Sequence, residues 1–62
     1  MTYDQLIKEF DRFSPVHKQI LLLFYQDNLT VEQISKSLNI SQGTIKSILS
    51  RTRKKIIKRF KQ

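Results

Sequence analysis

The sequence predicts an all-α fold, a small four-helix domain whose last helix is the longest. Three observations carry that reading. Apolar residues recur three and four positions apart in four separate segments, with no competing strand pattern. A hydroxyl residue able to cap a helix precedes each segment, at Thr2, Ser14, Thr30 and Ser41. The chain has 62 residues, which allows one domain over 1–62 and burial of roughly 60% of the unfolded surface.

The first helix is expected over 2–12. Thr2 followed by Gln5 has the spacing of a capping box, and Tyr3, Leu6, Ile7, Phe10 and Phe13 follow at helical spacing. Ser14-Pro15 restarts the chain, because Ser caps with its hydroxyl and Pro at the first helical position lacks only an amide that has no partner there. The second helix, 15–27, carries Val16, Ile20, Leu23 and Phe24 on one face, widened by Leu21, Leu22 and Tyr25. So broad a stripe marks the central helix of the core.

Asn28 stands where a left-handed helix end is wanted, a conformation Asn tolerates nearly as well as Gly. Thr30 with Gln33 repeats the capping-box spacing and opens a short helix, 31–38, with Val31, Ile34 and Leu38 inward. Ser35 is small, which lets the next helix pack closely. Asn39 makes the turn and Ser41 caps the long helix 42–59, whose inward stripe is Ile45, Ile48, Leu49, Thr52, Ile56 and Phe60. These last two helices form a helix-turn-helix, with the second in the position of a recognition helix.

Charge divides the chain in two. Before Gln33, Lys8, Arg12 and Lys18 stand against Asp4, Glu9, Asp11, Asp27 and Glu32, a balance of −2; after it come nine cations and no acid, +9. A patch of one sign attracts polyanions and gives salt-sensitive affinity for nucleic acid. A solvated basic face, or cations placed to suit the carboxyl end of a helix dipole, produces the same asymmetry.

Several function classes are excluded by composition. With no Cys and His17 as the one His, neither a disulfide framework nor a Cys/His zinc site can be assembled, and no catalytic or metal-binding residues or cofactor are expected. So small a chain leaves no room for an enzyme cleft. The longest apolar run, residues 20–25, is far short of the ~20 residues that span a bilayer, and no basic-then-apolar signal segment opens the chain. A soluble cytoplasmic protein without a membrane partner is expected.

The candidate binding residues lie on the helix-turn-helix. At the start of its second helix Gln42, Lys46, Ser47 and Ser50 are placed to read base edges: Gln pairs with adenine, Lys with guanine acceptors, and Ser with either. Thr44 and Arg51 flank them and suit phosphates; Lys54 completes the outward cationic set. Thr30 and Lys36, on the preceding helix, are candidates for the opposite strand.

A more specific likeness rests on Ser14-Pro15, Ile20-Leu21-Leu22-Leu23, residues 28–35, and above all residues 40–56, with Ser41-Gln42-Gly43-Thr44-Ile45-Lys46-Ser47 and Arg51-Thr52-Arg53-Lys54-Lys55-Ile56. Together they resemble region 4, the C-terminal domain of bacterial sigma factors, on the side of the extracytoplasmic-function and related alternative branch. The resemblance implies binding to double-stranded promoter DNA at the -35 element and docking on the beta flap of the RNA polymerase core. It further implies that Lys46, Ser47, Ser50 and Arg51 face DNA with Gln42 and Thr44 at the helix start. Asn28 and Asn39 stand where relatives carry glycine, Ser35 where they carry alanine, and Ile48 where many carry arginine. No counterpart of region 2 is visible, which implies a piece of a longer factor or a region paired with a separate region 2 subunit; an anti-sigma factor is a further implied partner. Two alternatives stand beside this one: a response-regulator helix-turn-helix effector domain, and a protein-interaction module for polymerase or an anti-sigma factor with DNA secondary.

Overall fold

The computed structural model describes residues 2–60, the side chain of Phe60 excepted. It contains α1 (Tyr3–Phe10), α2 (Pro15–Tyr25), α3 (Val31–Leu38) and α4 (Gln42–Phe60), with no strand among the described residues. All four expected helices are present. Phe60, expected in the inward stripe of α4, has its side chain outside the described residues.

Each helix begins where a side chain replaces a missing backbone partner. The Thr2 hydroxyl accepts the Gln5 amide at 3.2 Å while Gln5 Oε1 accepts the Thr2 amide at 2.9 Å; Thr30 and Gln33 repeat the exchange at 3.1 and 2.8 Å. Ser14 Oγ accepts from the His17 amide at 3.4 Å with Pro15 at the first helical position. Ser41 Oγ accepts the Thr44 amide at 3.3 Å.

The first two helices stop about two residues sooner than their sequence spacing suggests. After Phe10 the amides of Asp11, Arg12 and Phe13 bond to carbonyls three residues back, at 3.1 to 3.2 Å. That tighter winding ends the α-helix and brings Phe13 against the cluster of Phe10 and Leu21. At the end of α2 the Gln26 and Asp27 amides both turn to Leu22 O, and Asn28 takes a left-handed φ of 58°. Leu29 N then closes onto Leu23 O at 3.0 Å.

Helix α2 packs against each of the other three and divides the core between two clusters. Its neighbouring residues Ile20 and Leu21 point about 100° apart, as successive helical residues do. Ile20 joins Ile34, Ile45 and Ile48, whereas Leu21 joins Phe10 and Ile56. Leu49 of α4 packs against both clusters. Two expected core residues are not in the core: Val16 is 50% exposed and Tyr3 53%. Both sit in the first turn of their helices, and neither packs against either core cluster.

The α3–α4 turn is closed by its polar groups. Asn39 adopts φ 56°, ψ 44°, and its amide bonds to Ser35 O, as does the Ile40 amide at 3.2 Å. The Ser35 hydroxyl donates to Ile40 O at 2.5 Å, so this side chain does more than make room: it fastens the turn. Within α4 the buried Thr52 is satisfied by its own helix, donating to Ile48 O at 2.8 Å. One long-range ion pair joins α1 to the far end of α4, Glu9 Oε1 to Arg59 Nε at 2.6 Å, with Arg12 Nε 3.4 Å from the other Glu9 oxygen. The Glu9 side chain is only 13% exposed.

Candidate nucleic-acid interface

Helix α4, about 28 Å long at 1.5 Å per residue, runs most of the molecule's 35 Å length. Its inner stripe of Ile45, Ile48, Thr52 and Ile56 is buried, with Leu49 half-buried beside it. That fixes the helix's rotation and turns Gln42, Gly43, Thr44, Lys46, Ser47, Ser50, Arg51 and Lys54 outward, all of them exposed.

The predicted residues of α4 do not gather in one recess; they fall on two adjoining sides of the helix. On one side Thr44, Ser47 and Arg51 share a shallow, mostly polar concavity with Ser41, Gly43 and the edge of Ile48. On the other Lys46, Ser50 and Lys54 line an open groove with Arg53, against Phe24, Tyr25, Leu49 and Ile57. Gln42 lies in neither. The groove extends over Leu6 and Ile56, and its floor is apolar, with Phe24 and Tyr25 ring centroids 5.0 Å apart in an edge-on pair.

Hydrogen bonding decides what some of these groups offer a ligand. The Ser41 hydroxyl donates to Thr44 Oγ1 at 2.8 Å, which leaves the Thr44 O–H as the outward donor. Thr30 accepts from the Gln33 amide as the cap of α3, so its hydroxyl likewise has only its proton to give. Lys36 Nζ lies 3.3 Å from Glu32 Oε1 one turn earlier, both side chains largely exposed. Its charge is therefore partly met within α3, although such an exposed pair is weak and yields readily to a phosphate.

Most cations of α4 have no ion-pair partner among the described residues. Among the described residues Arg59 is its only side chain in an ion pair, so Lys46, Arg51, Arg53, Lys54, Lys55 and Lys58 have no carboxylate within reach. A run of unpaired cations on a helix bound on its other side to the core holds a fixed positive field facing solvent. Arg53 was not among the expected binding residues. The signal was present, since Arg53 falls two helical turns after Lys46 and so shares its side.

Ile48, where many relatives of the resembled family carry arginine, is 9% exposed and belongs to the first core cluster. It contributes packing at a position where an arginine side chain would have to reach outward past the same neighbours. No group of three potential metal-ligating side chains occurs among the described residues, and no helix among them is long and apolar enough to cross a membrane.

Comparison with known protein families gives a match. The family model described as Sigma-70, region 4 aligns with residues 10–58, from the last residue of α1 through nearly all of α4. That assignment favours the sigma resemblance over a response-regulator domain. No curated protein and no solved structure matches the chain.

Proposed function

The chain belongs to the sigma-70 region 4 family, DNA-binding regulatory domains of transcription initiation rather than enzymes, and from this premise we propose that it reads the -35 promoter element with α4 while docking on the RNA polymerase beta flap. The observation that carries the reading is the uncompensated outer face of α4, where short polar side chains stand first and cations follow.

In this reading the amino-terminal half of α4 enters the major groove. Gln42, Lys46, Ser47 and Ser50 meet base edges, each good bidentate contact discriminating by about 1–3 kcal/mol. Arg51 and Lys54, with Thr44 as a hydroxyl donor, hold phosphates along the groove walls, and Thr30 and Lys36 approach the other strand. Arg53 joins the phosphate-binding set on the Lys46 side. Because both sides of α4 carry candidates, the helix touches both walls of the groove, a geometry that suits a cylinder lying in a channel about 12 Å wide.

Polymerase docking is supported by the apolar groove of Leu6, Phe24, Tyr25 and Ile57, beside the DNA-facing residues. A separate region 2 subunit, or further domains of the same polypeptide, would supply -10 melting in the cytoplasm, and an anti-sigma factor would compete for the same surfaces. The groove also favours a second reading, a polymerase-binding or anti-sigma-binding module with DNA secondary. Survival of polymerase binding after removal of the Lys46 and Arg51 charges would support it.

The deciding experiment is an NMR titration of the labelled domain with a -35-like duplex and with a shuffled duplex, at two salt concentrations. Sequence-dependent shifts concentrated over residues 42–51 are expected. Weak, equal shifts confined to the cations after residue 53 would overturn promoter reading and leave an electrostatic tail.

A further inference from the structure

Gly43 is the only glycine in the chain, and it is the second residue of α4. Glycine is the poorest helix former after proline, so a helical glycine calls for a reason. The usual reasons fail here. Its backbone does not have a positive φ, and a Cβ added to it would meet nothing within 4 Å. The residue is exposed, and neither the chain's conformation nor its packing asks for the absence of a side chain. The two left-handed positions that would reward glycine, Asn28 and Asn39, are filled by asparagine instead.

What surrounds Gly43 is the polar concavity of Ser41, Thr44, Ser47 and Arg51. Resting on the promoter-reading assignment above, we infer that Gly43 is a DNA-seating position whose missing side chain lets the sugar–phosphate backbone of duplex DNA approach the first turn of α4 in van der Waals contact. The free space that a Cβ would enter in the unbound protein is occupied by the ligand in the bound one. With the duplex seated that closely, the Thr44 O–H, Ser47 and Arg51 come within reach of phosphate and base edge together. A methyl group at position 43 would hold the duplex away and weaken all three contacts at once.

The inference makes stability and binding change in opposite directions. Gly43→Ala and Gly43→Leu both replace glycine by a strong helix former in open space, so each should raise the unfolding temperature, by up to about 4–8 °C for a domain this small. Each should nonetheless bind DNA more weakly, by about tenfold for Ala and more for Leu, against a duplex that the wild-type domain has enriched from a randomised library. Loss graded with side-chain size, at raised stability, supports the inference. Unchanged or tighter binding by both variants, with the wild type still preferring its selected duplex over a shuffled one, overturns it and leaves promoter reading intact. Failure of the wild type to enrich any sequence overturns promoter reading itself and this inference with it.

Discussion

Removing Lys46 and Arg51 separates base reading from phosphate binding. Both side chains are exposed and neither has a carboxylate partner among the described residues, so Lys46→Ala and Arg51→Ala should leave folding stability within about 0.5 kcal/mol of wild type. The effects on DNA should differ in kind. In the proposed reading Arg51 is a phosphate ligand, so its loss should lower the slope of log K against log salt by about 0.9. That slope change corresponds to about eightfold weaker binding at 0.1 M salt and about fourfold at 0.2 M, equally for promoter-like and shuffled duplexes. Lys46 is the proposed base reader, so its loss should cost roughly 1–3 kcal/mol on the preferred duplex, about 5- to 150-fold, and much less on the shuffled one. Fluorescence anisotropy with both duplexes over a salt series measures all four quantities. If the double variant binds both duplexes as tightly as wild type at fixed salt, α4 is not the DNA-reading helix. If both single variants weaken both duplexes alike, Lys46 is only a phosphate ligand and the division of roles is wrong.

Other expectations concern the scaffold. Asn39 holds φ 56°, so Asn39→Ala should destabilise by about 1–2 kcal/mol while Asn39→Gly should be neutral or stabilising; urea denaturation of the pair distinguishes backbone conformation from a side-chain contact. Glu9→Gln should loosen α1 from the end of α4, with a loss of about 1 kcal/mol at low salt that shrinks at high salt, since Arg59 is half exposed; a loss independent of salt would mean that Glu9 acts through packing alone.

The parts of this fold written in local sequence were legible, and the parts that depend on distant neighbours were not. Thr2, Ser14, Thr30 and Ser41 begin their helices as expected, because a cap is settled within four residues. Asn28 takes the expected left-handed conformation for the same local reason, and Asn39, expected only to make the turn, takes it too. Helical spacing alone could not exclude Val16 and Tyr3 from the core, since periodicity gives the face of a residue and not whether another helix lies over it. Nor could it give the Glu9–Arg59 pair, whose members are brought together only because α1 and the end of α4 share the cluster of Phe10, Leu21 and Ile56. The outward set on α4 was legible from the period of its apolar residues. Its division into two sides was not, because that depends on Phe24 and Tyr25 of α2 standing beside one of them. Ser35 was read for its size, whereas its hydroxyl bond to Ile40 needed the turn's geometry.

Leu49 packs against both core clusters, and with Ile45, Ile48, Thr52 and Ile56 it commits the inner stripe of α4 entirely to the fold. The outer positions of its amino-terminal half carry no such duty. Gln42, Lys46, Ser47 and Ser50 can therefore diverge among descendants of this domain without eroding its stability, and new sequence preferences can arise by drift across one helical surface. Interchange of those four residues between related domains should transplant preference while leaving the host fold as it was. In the proposed reading the domain is a fixed chassis with an exchangeable reading edge, and the boundary between the two runs lengthwise along a single helix.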